Sequence, residues 1–380
     1  MIFLKKLLIL LTVIIFLIII WRLLIIRINL KKDLEGFSIP IPFLSSIKDS
    51  EISNIQSSSQ ITIQNINKNL YNLPLRELCI KSSFNSACSG SFINLDMLQY
   101  VINRGCRYLD FEVFYILSDT IDSTTFIPVV STSLDTTYMI LNTENSILLD
   151  NVLSSAVANA FSSPCPNYKD PLFINLRVKS NNTDVYSAIA SSIDHSIQER
   201  IYNDMSKQVY TGMGKTINPA MSVTKDTKIM DINGKVIVSF DKSIYPNYVN
   251  YTSTCDVSNN GSCYDLKNYI NIENSSENMN LYSYSLITQL PLLQINDNNM
   301  TTNVKTIQCV NPDNLYLMNK SNSNPSYGDY ILKYGGCQIV PYRFYKSDSN
   351  LMDYENFFSI HNSAFVPLSI AISQYKKEYQ

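Results

Sequence analysis

The stretch Gly105-Cys106-Arg107-Tyr108-Leu109-Asp110-Phe111-Glu112-Val113-Phe114-Tyr115 sets the reading of the fold. From Arg107 onward, alternation puts Tyr108, Asp110, Glu112 and Phe114 on one face of a strand, so two carboxylates point the same way. Just before it, Leu95, Leu98, Val101 and Ile102 fall at helical spacing over Leu95–Asn103, and Gly105 stops that helix. Working outward, Leu78–Ser83 reads as a short strand, Phe126–Val130 as a strand and Leu148–Phe161 as a helix. Leu172–Val178 reads as a strand, Val185–Tyr202 as a helix and Val236–Phe240 as a strand. Strand, helix, strand repeated in this way predicts an α/β fold with a parallel sheet and crossover helices. Residues 244–300 are Asn-, Ser- and Tyr-rich and read as an insertion or linker. Pattern returns at Thr306–Val310, Cys337–Phe344, a helix near Leu351–Phe358, and Ala364–Leu368.

The chain has 380 residues, a formal charge of −2 and 45% hydrophobic residues, which fits one large domain with appendages and excludes global disorder. Two histidines exclude a multi-histidine metal centre. Neither GxGxxG nor GxxxxGK[ST] occurs. Residues 1–32 hold six Lys/Arg and no acid, so the remainder carries 24 basic against 32 acidic residues. An acidic body argues against nucleic-acid binding and against adhesion to anionic lipid. The eight cysteines form no CxxC pair. Cys255 and Cys263 bracket a polar turn that they could clip; free buried thiols are the other reading for most of the rest.

Leu7–Ile26 is apolar apart from Thr12 and Arg22, long enough for a membrane span of about 20 residues. Trp21 and Arg22 suit an interface, and no small-residue cleavage site follows. Residues 1–32 therefore read as an uncleaved anchor. Basic residues flank both sides, so orientation is not set. Six N-x-[ST] sequons (Asn181, Asn250, Asn260, Asn274, Asn299, Asn319) are what this composition gives by chance. Residues 33–72, with Pro40 and Pro42 among Ser, Asn and Gln, read as a stalk.

Pro74-Leu75-Arg76-Glu77-Leu78-Cys79-Ile80-Lys81-Ser82-Ser83-Phe84-Asn85-Ser86 resembles the opening of the phosphoinositide-specific phospholipase C catalytic domain, P-L-x-x-[YF]-x-I-x-S-S-H-N-T. Gly105–Glu112 resembles its G-[CV]-R-x-[LV]-E-[LI]-D block. Pro171–Arg177 resembles P-V-I-L-S-L-E, and Gly234–Val238 resembles G-K-I-L-[VI]. Asn322–Pro325 loosely echoes S-S-N-x-x-P, Gly336–Val340 resembles G-C-Q-M-V, and Ala364–Leu368 sits where the family has G-Y-V-L-K-P. The resemblance implies an irregular (β/α)8 TIM-barrel-like fold. It has one half over 73–243, the insertion 244–300, and a second half over 301–380.

The family's reaction needs a base for the inositol 2-hydroxyl, an acid for the leaving glycerol and a cation for the phosphate. The resemblance places the first proton-carrying histidine at Phe84 and the second near Ser131, so neither is present. His195 and His361 read as surface residues. The calcium ligands correspond to Asn85, Asp110, Glu112 and Arg177. The last replaces an acid, and a guanidinium between carboxylates would stand in for the metal. Headgroup-binding bases correspond to Ser239, Asp241 and Tyr316, all non-basic; Lys242 is off register.

These correspondences imply a catalytically degenerate, membrane-anchored barrel with no cofactor, acting on an unidentified protein partner. The alternative is an active phosphoinositide or phosphodiester hydrolase with calcium and rewired acid–base groups, Asp110 or Glu112 serving as base. A third reading is a lipid-binding mouth walled by Phe84. Abundant Asn, Ile, Ser and Tyr with a single Trp, a bias that an AT-rich genome gives, together with the anchor and the decayed motifs suggest a large DNA virus, with the protein in a virion or host-derived membrane.

Overall fold

A computed structural model describes residues 51–55, 61–118, 125–133, 145–212, 215–243, 246–250, 263–287, 289, 305–312, 323–332 and 336–378. Contacts divide the chain into two units, 1–47 with 117–125, and 48–116 with 126–380. Of the first, only residues 117, 118 and 125 are described, so the fold below is that of the second. The expected anchor Leu7–Ile26 lies outside the described residues. Among the described residues no helix is long and apolar enough to cross a membrane.

The chain opens with β1 (Leu78–Ile80), β2 (Ser82–Ser83) and helix α1 (Leu95–Asn103). Next come β3 (Tyr108–Leu117), β4 (Phe126–Val130), β5 (Ile147–Leu148) and α2 (Leu149–Ala160). Then follow β6 (Leu172–Lys179), α3 (Asp184–Ser196), the β7 (Val209–Gly212) and β8 (Lys215–Ile217) hairpin, and β9 (Val236–Asp241). The remainder is β10 (Ile272–Asn274), β11 (Met279–Ser283), β12 (Ile307–Asn311), α4 (Tyr327–Leu332), α5 (Ser349–Ile360), β13 (Phe365–Pro367) and α6 (Leu368–Glu378). Strands β2, β3, β6, β9 and β10 pair in that order, all parallel. Strand β11 pairs parallel with β12, and single parallel bridges join Cys309 to Ile339, Ile339 to Ile80, and Tyr342 to Ser83. Strand β4 lies beside β3, with the Ser131 N–H donating to the Glu112 carbonyl.

Alternation in this sheet explains its two faces. Leu109, Phe111 and Val113 on β3, Ile174, Leu176 and Val178 on β6, and Val236, Val238 and Phe240 on β9 point one way and are buried. Helices α1, α2 and α3 pack side by side, with Leu98, Val101, Val152, Leu153, Ile189 and Ile193 buried in the same core. Helix α1 begins where the Asn94 side chain accepts from the Asp96 N–H and ends before Gly105, at φ +85°. The opposite face of the sheet carries Asp110, Glu112, Asn175, Arg177, Ser239 and Asn274, all buried.

Five expectations are corrected. The mixed α/β fold holds, but among the described residues no ladder joins β10 to β11, so the pairing does not close into a barrel. Residues 244–300 are not simply an insertion. They supply β10 to the main sheet and β11 to β12, and bury Ile272, Met279, Tyr284 and Ile287. The stalk 33–72 is not free throughout: Ile63 and Ile66 are buried in the core, and Gln64 bridges to Ser363. The helix expected over Val185–Tyr202 ends at Ser196. Cys337–Phe344 forms bridges rather than a regular strand.

Candidate functional site

Register assembles the site. Glu112 on β3 lies opposite Arg177 on β6, and Asp110 lies opposite Asn175. The Arg177 guanidinium therefore falls between two carboxylates. Its Nε donates to Asp110 Oδ1 at 2.8 Å and Nη2 to Asp110 Oδ2 at 2.7 Å, a forked pair. Nη1 donates to Glu112 Oε1 at 2.7 Å. Nη2 also donates to Asn85 Oδ1 at 2.8 Å. Beneath it lies the Phe84 ring, its centroid 4.5 Å from the guanidinium carbon. Asn85 reaches this position with φ +42°, a left-handed conformation that Asn tolerates better than most residues. Its own N–H donates to Asp110 Oδ2 at 3.2 Å. Burial alone would lower the Arg177 pKa; Asp110 and Glu112 outweigh it and hold the group above its ordinary value.

A chain of amides continues inward. Asn175 Nδ2 donates to Asp110 Oδ1 at 2.8 Å, and Asn274 Nδ2 donates to Asn175 Oδ1 at 2.9 Å. Ser239 Oγ donates to Asn274 Oδ1 at 2.9 Å. Four adjacent strands are thus joined by side chains on the face opposite the helices. Every member is buried, so each polar atom needs its partner. Asn274, counted among the sequons, belongs to this buried chain.

The other expected site residues fall as follows. Ser131 is buried, with its Oγ donating to the Asn145 carbonyl at 2.7 Å. Asp241 accepts the Ser243 N–H at 2.9 Å through Oδ1. Lys242 donates to Glu273 at 2.7 Å. Tyr316 lies outside the described residues. His195 meets Ser191 and Tyr264, and His361 pairs with Gln374 at 2.9 Å; none of these partners belongs to the cluster. Cys263 is disulfide-bonded, while its expected partner Cys255 lies outside the described residues. Cys79, Cys88, Cys106, Cys165, Cys309 and Cys337 are all buried.

Sequence reading missed three residues. Lys179 shares the Arg177 face of β6, two positions on. Burial, and then Arg177, hold its ammonium below the ordinary lysine value, against the pull of Glu112, Asp241 and Asp110. The period of two on β6 could have found it. Asn175 and Asn274 carried no signal, because amides on strands usually face solvent.

The arrangement does not fit a divalent cation. Both carboxylates and the Asn85 amide oxygen are already engaged by a guanidinium with its own positive charge. Among the described residues no group of three or more His, Cys, Asp or Glu side chains converges.

No protein-family model matches the chain, and no curated protein matches it in sequence. Solved structures do. The crystal structure of L. pealei PLC21 is similar at 13% identity and a TM-score of 0.52, over 78% of this chain and 37% of that one. S. officinalis PLC21 is similar at 14% identity and a TM-score of 0.51, over 83% and 39%. A calcium-dependent phosphoinositol-specific phospholipase C from Pseudomonas sp matches at 10% identity and a TM-score of 0.46, over 81% and 100%. The chain thus spans less than half the length of either PLC21 chain. At these identities the likeness concerns the fold alone, which resembles that of the two PLC21 structures.

Proposed function

We propose that this chain is a phospholipase-C-like fold that no longer cleaves phosphodiesters and works through its surface on a protein partner, tethered to a membrane by Leu7–Ile26. One observation carries the reading. Arg177 forks onto Asp110, reaches Glu112 and Asn85, and is buried with them over Phe84. The residues that correspond to a cation's ligands hold an internal cation instead. Phe84 stands where the proton carrier would be, and a phenyl ring neither donates nor accepts a proton. The rival reading uses Asp110 or Glu112 as a base. Both carboxylates are buried and held by Arg177, so a base role would require breaking that fork. The acidic body disfavours nucleic acid, and phosphoinositide is a ligand only under the rival reading.

Calcium titration of the full chain in detergent, followed calorimetrically, tests the internal-cation reading. The expected result is no heat of binding at micromolar to millimolar calcium and no change in melting temperature. A saturable calcium site lost in the Asp110→Asn variant would overturn it.

A further inference from the structure

Helix α5 buries Leu351, Tyr354, Phe357 and Phe358. At about 100° per residue, Met352, Asp353, Asn356 and Ile360 fall within an arc of about 100° on its outer side. A surface helix ordinarily keeps that side polar. Here Met352 is 66% exposed and Ile360 56%. The two stand about 12 Å apart along the axis, with Asp353 and Asn356 between them.

Beside this ridge a pocket of about 170 Å³ opens between α5, α6 and the start of α4. Three buried rings, Tyr327, Phe357 and Tyr375, line it and touch one another, with centroids 5.3, 5.6 and 5.9 Å apart. Asp353 from α5 and Glu378 from α6, both exposed, are the charged residues of its wall; Lys376 and Lys377 do not line it. The Gln374 amide donates to Glu378 Oε1 at 3.0 Å, which leaves Oε2 to solvent. The Asp353 carboxylate and the Asn356 amide make no hydrogen bond or ion pair with any described residue. The pocket thus joins two carboxylates to an apolar floor and has no cation of its own.

Its size and charge select the occupant. Small-molecule sites start at about 300 Å³, so a whole metabolite does not fit. Among the described residues no third acidic, His or Cys ligand joins the two carboxylates, so a metal centre is not built here. A single lysine or arginine side chain does fit. Its alkyl stem can lie on the rings while its charge meets the carboxylates.

We propose that this pocket and the α5 ridge form a docking site for a protein segment that carries one basic side chain between two apolar ones. The basic side chain enters the pocket and meets Asp353 and Glu378. Its apolar neighbours cover Met352 and Ile360. In an extended strand, side chains four residues apart on one face stand about 13 Å apart, close to the spacing of those two residues. The proposal rests on the reading that the chain acts through a protein partner, and it names the chemistry of that partner's segment. The Arg177 cluster takes no part in it.

The probe is the acetylated peptide amide Gly-Leu-Ser-Lys-Ser-Leu-Gly, titrated onto the full chain in uncharged, deuterated detergent and read by saturation-transfer NMR. A second peptide has norleucine in place of lysine, which keeps the stem and removes the charge. The lysine peptide should bind saturably, with a dissociation constant below about 1 mM. It should bind roughly ten-fold more tightly than the norleucine peptide, the worth of a charge-assisted contact. In the double variant Asp353→Asn, Glu378→Gln the two peptides should bind alike, at the norleucine level. Both side chains are exposed, so its melting temperature should match wild type. The variant Met352→Ser, Ile360→Ser should weaken both peptides by the same factor. No saturable binding of the lysine peptide, equal binding of both peptides to wild type, or an undiminished preference for lysine in the carboxylate double variant would overturn the proposal. Release of inositol phosphate from phosphoinositide vesicles reads hydrolysis separately, so failure of the docking site and failure of the inactive-enzyme reading are distinguishable.

Discussion

Replacing Arg177 with methionine keeps much of the side-chain volume and removes the charge. Asp110 and Glu112 then face each other with side-chain exposures of 0% and 2% and no cation between them. Removing one partner of a buried ion pair costs about 3–5 kcal/mol, because the survivor stays desolvated and unpaired. Two survivors place this case at the upper end of that range. In a body of this size about 1 kcal/mol moves the melting temperature by about 2–4 °C, so the expected drop is on the order of 10 °C. Circular-dichroism melts of the full chain in detergent measure it. The triple variant Arg177→Met, Asp110→Asn, Glu112→Gln should regain at least ~2 kcal/mol of the loss, since the three side chains act as one unit. The single variant should also acquire calcium stabilisation that the wild type lacks, about 2.7 kcal/mol at a hundred-fold excess over its dissociation constant. A single variant that melts within about 1 kcal/mol of wild type would refute the reasoning. Arg177 would then not be neutralising a buried pair.

Three further outcomes follow from other contacts. Glu355 is gripped by Arg104 at 2.7 Å and by Lys81 at 3.3 Å, so Glu355→Gln should cost about 3–5 kcal/mol in denaturant melts by stranding two buried cations. Burial pushes the Glu355 carboxyl up, but Lys81 and Arg104 outweigh it and hold the carboxyl below its ordinary 4.5. Its stabilisation is therefore present above pH 4.5 and lost as pH falls through the lower folded value; the Gln variant should lack that acid-side loss. Gly105→Ala combines φ +85° with a new Cβ 2.8 Å from Ile63 Cδ1, and should destabilise by more than ~1 kcal/mol in the same melts. Phe84→His should release no more inositol phosphate than wild type from phosphoinositide vesicles, because Arg177 still occupies both carboxylates.

Elements with a strong period were legible. Leu95–Asn103 and Phe126–Val130 match their sequence ranges, and β3, β6 and β9 lie within two residues of theirs. The carboxylate pair on β3 and the odd charge at Arg177 could be read from alternation on single strands. What stayed hidden has physical causes. Strands β10 and β11 are three and five residues long and carry amides into the interior, so Asn274 looked like linker composition. Ile63 and Ile66 lie in a short run shared with Thr, Gln and Asn, and only tertiary contact shows them buried. Lys81, fully buried and bonded to the Arg104 carbonyl at 2.7 Å, reads in sequence as a surface lysine. Amide-to-amide contacts across β6, β9 and β10 need register, which one sequence does not supply.

Loss of phosphodiester cleavage in a fold like that of the PLC21 structures is what we propose. The most direct test is release of soluble inositol phosphate from phosphoinositide vesicles by the full chain, with calcium and with chelator. The account predicts release at the level of protein-free vesicles under both conditions. Calcium-dependent release that disappears in the Asp110→Asn variant would contradict it and make the rival hydrolase reading the correct one.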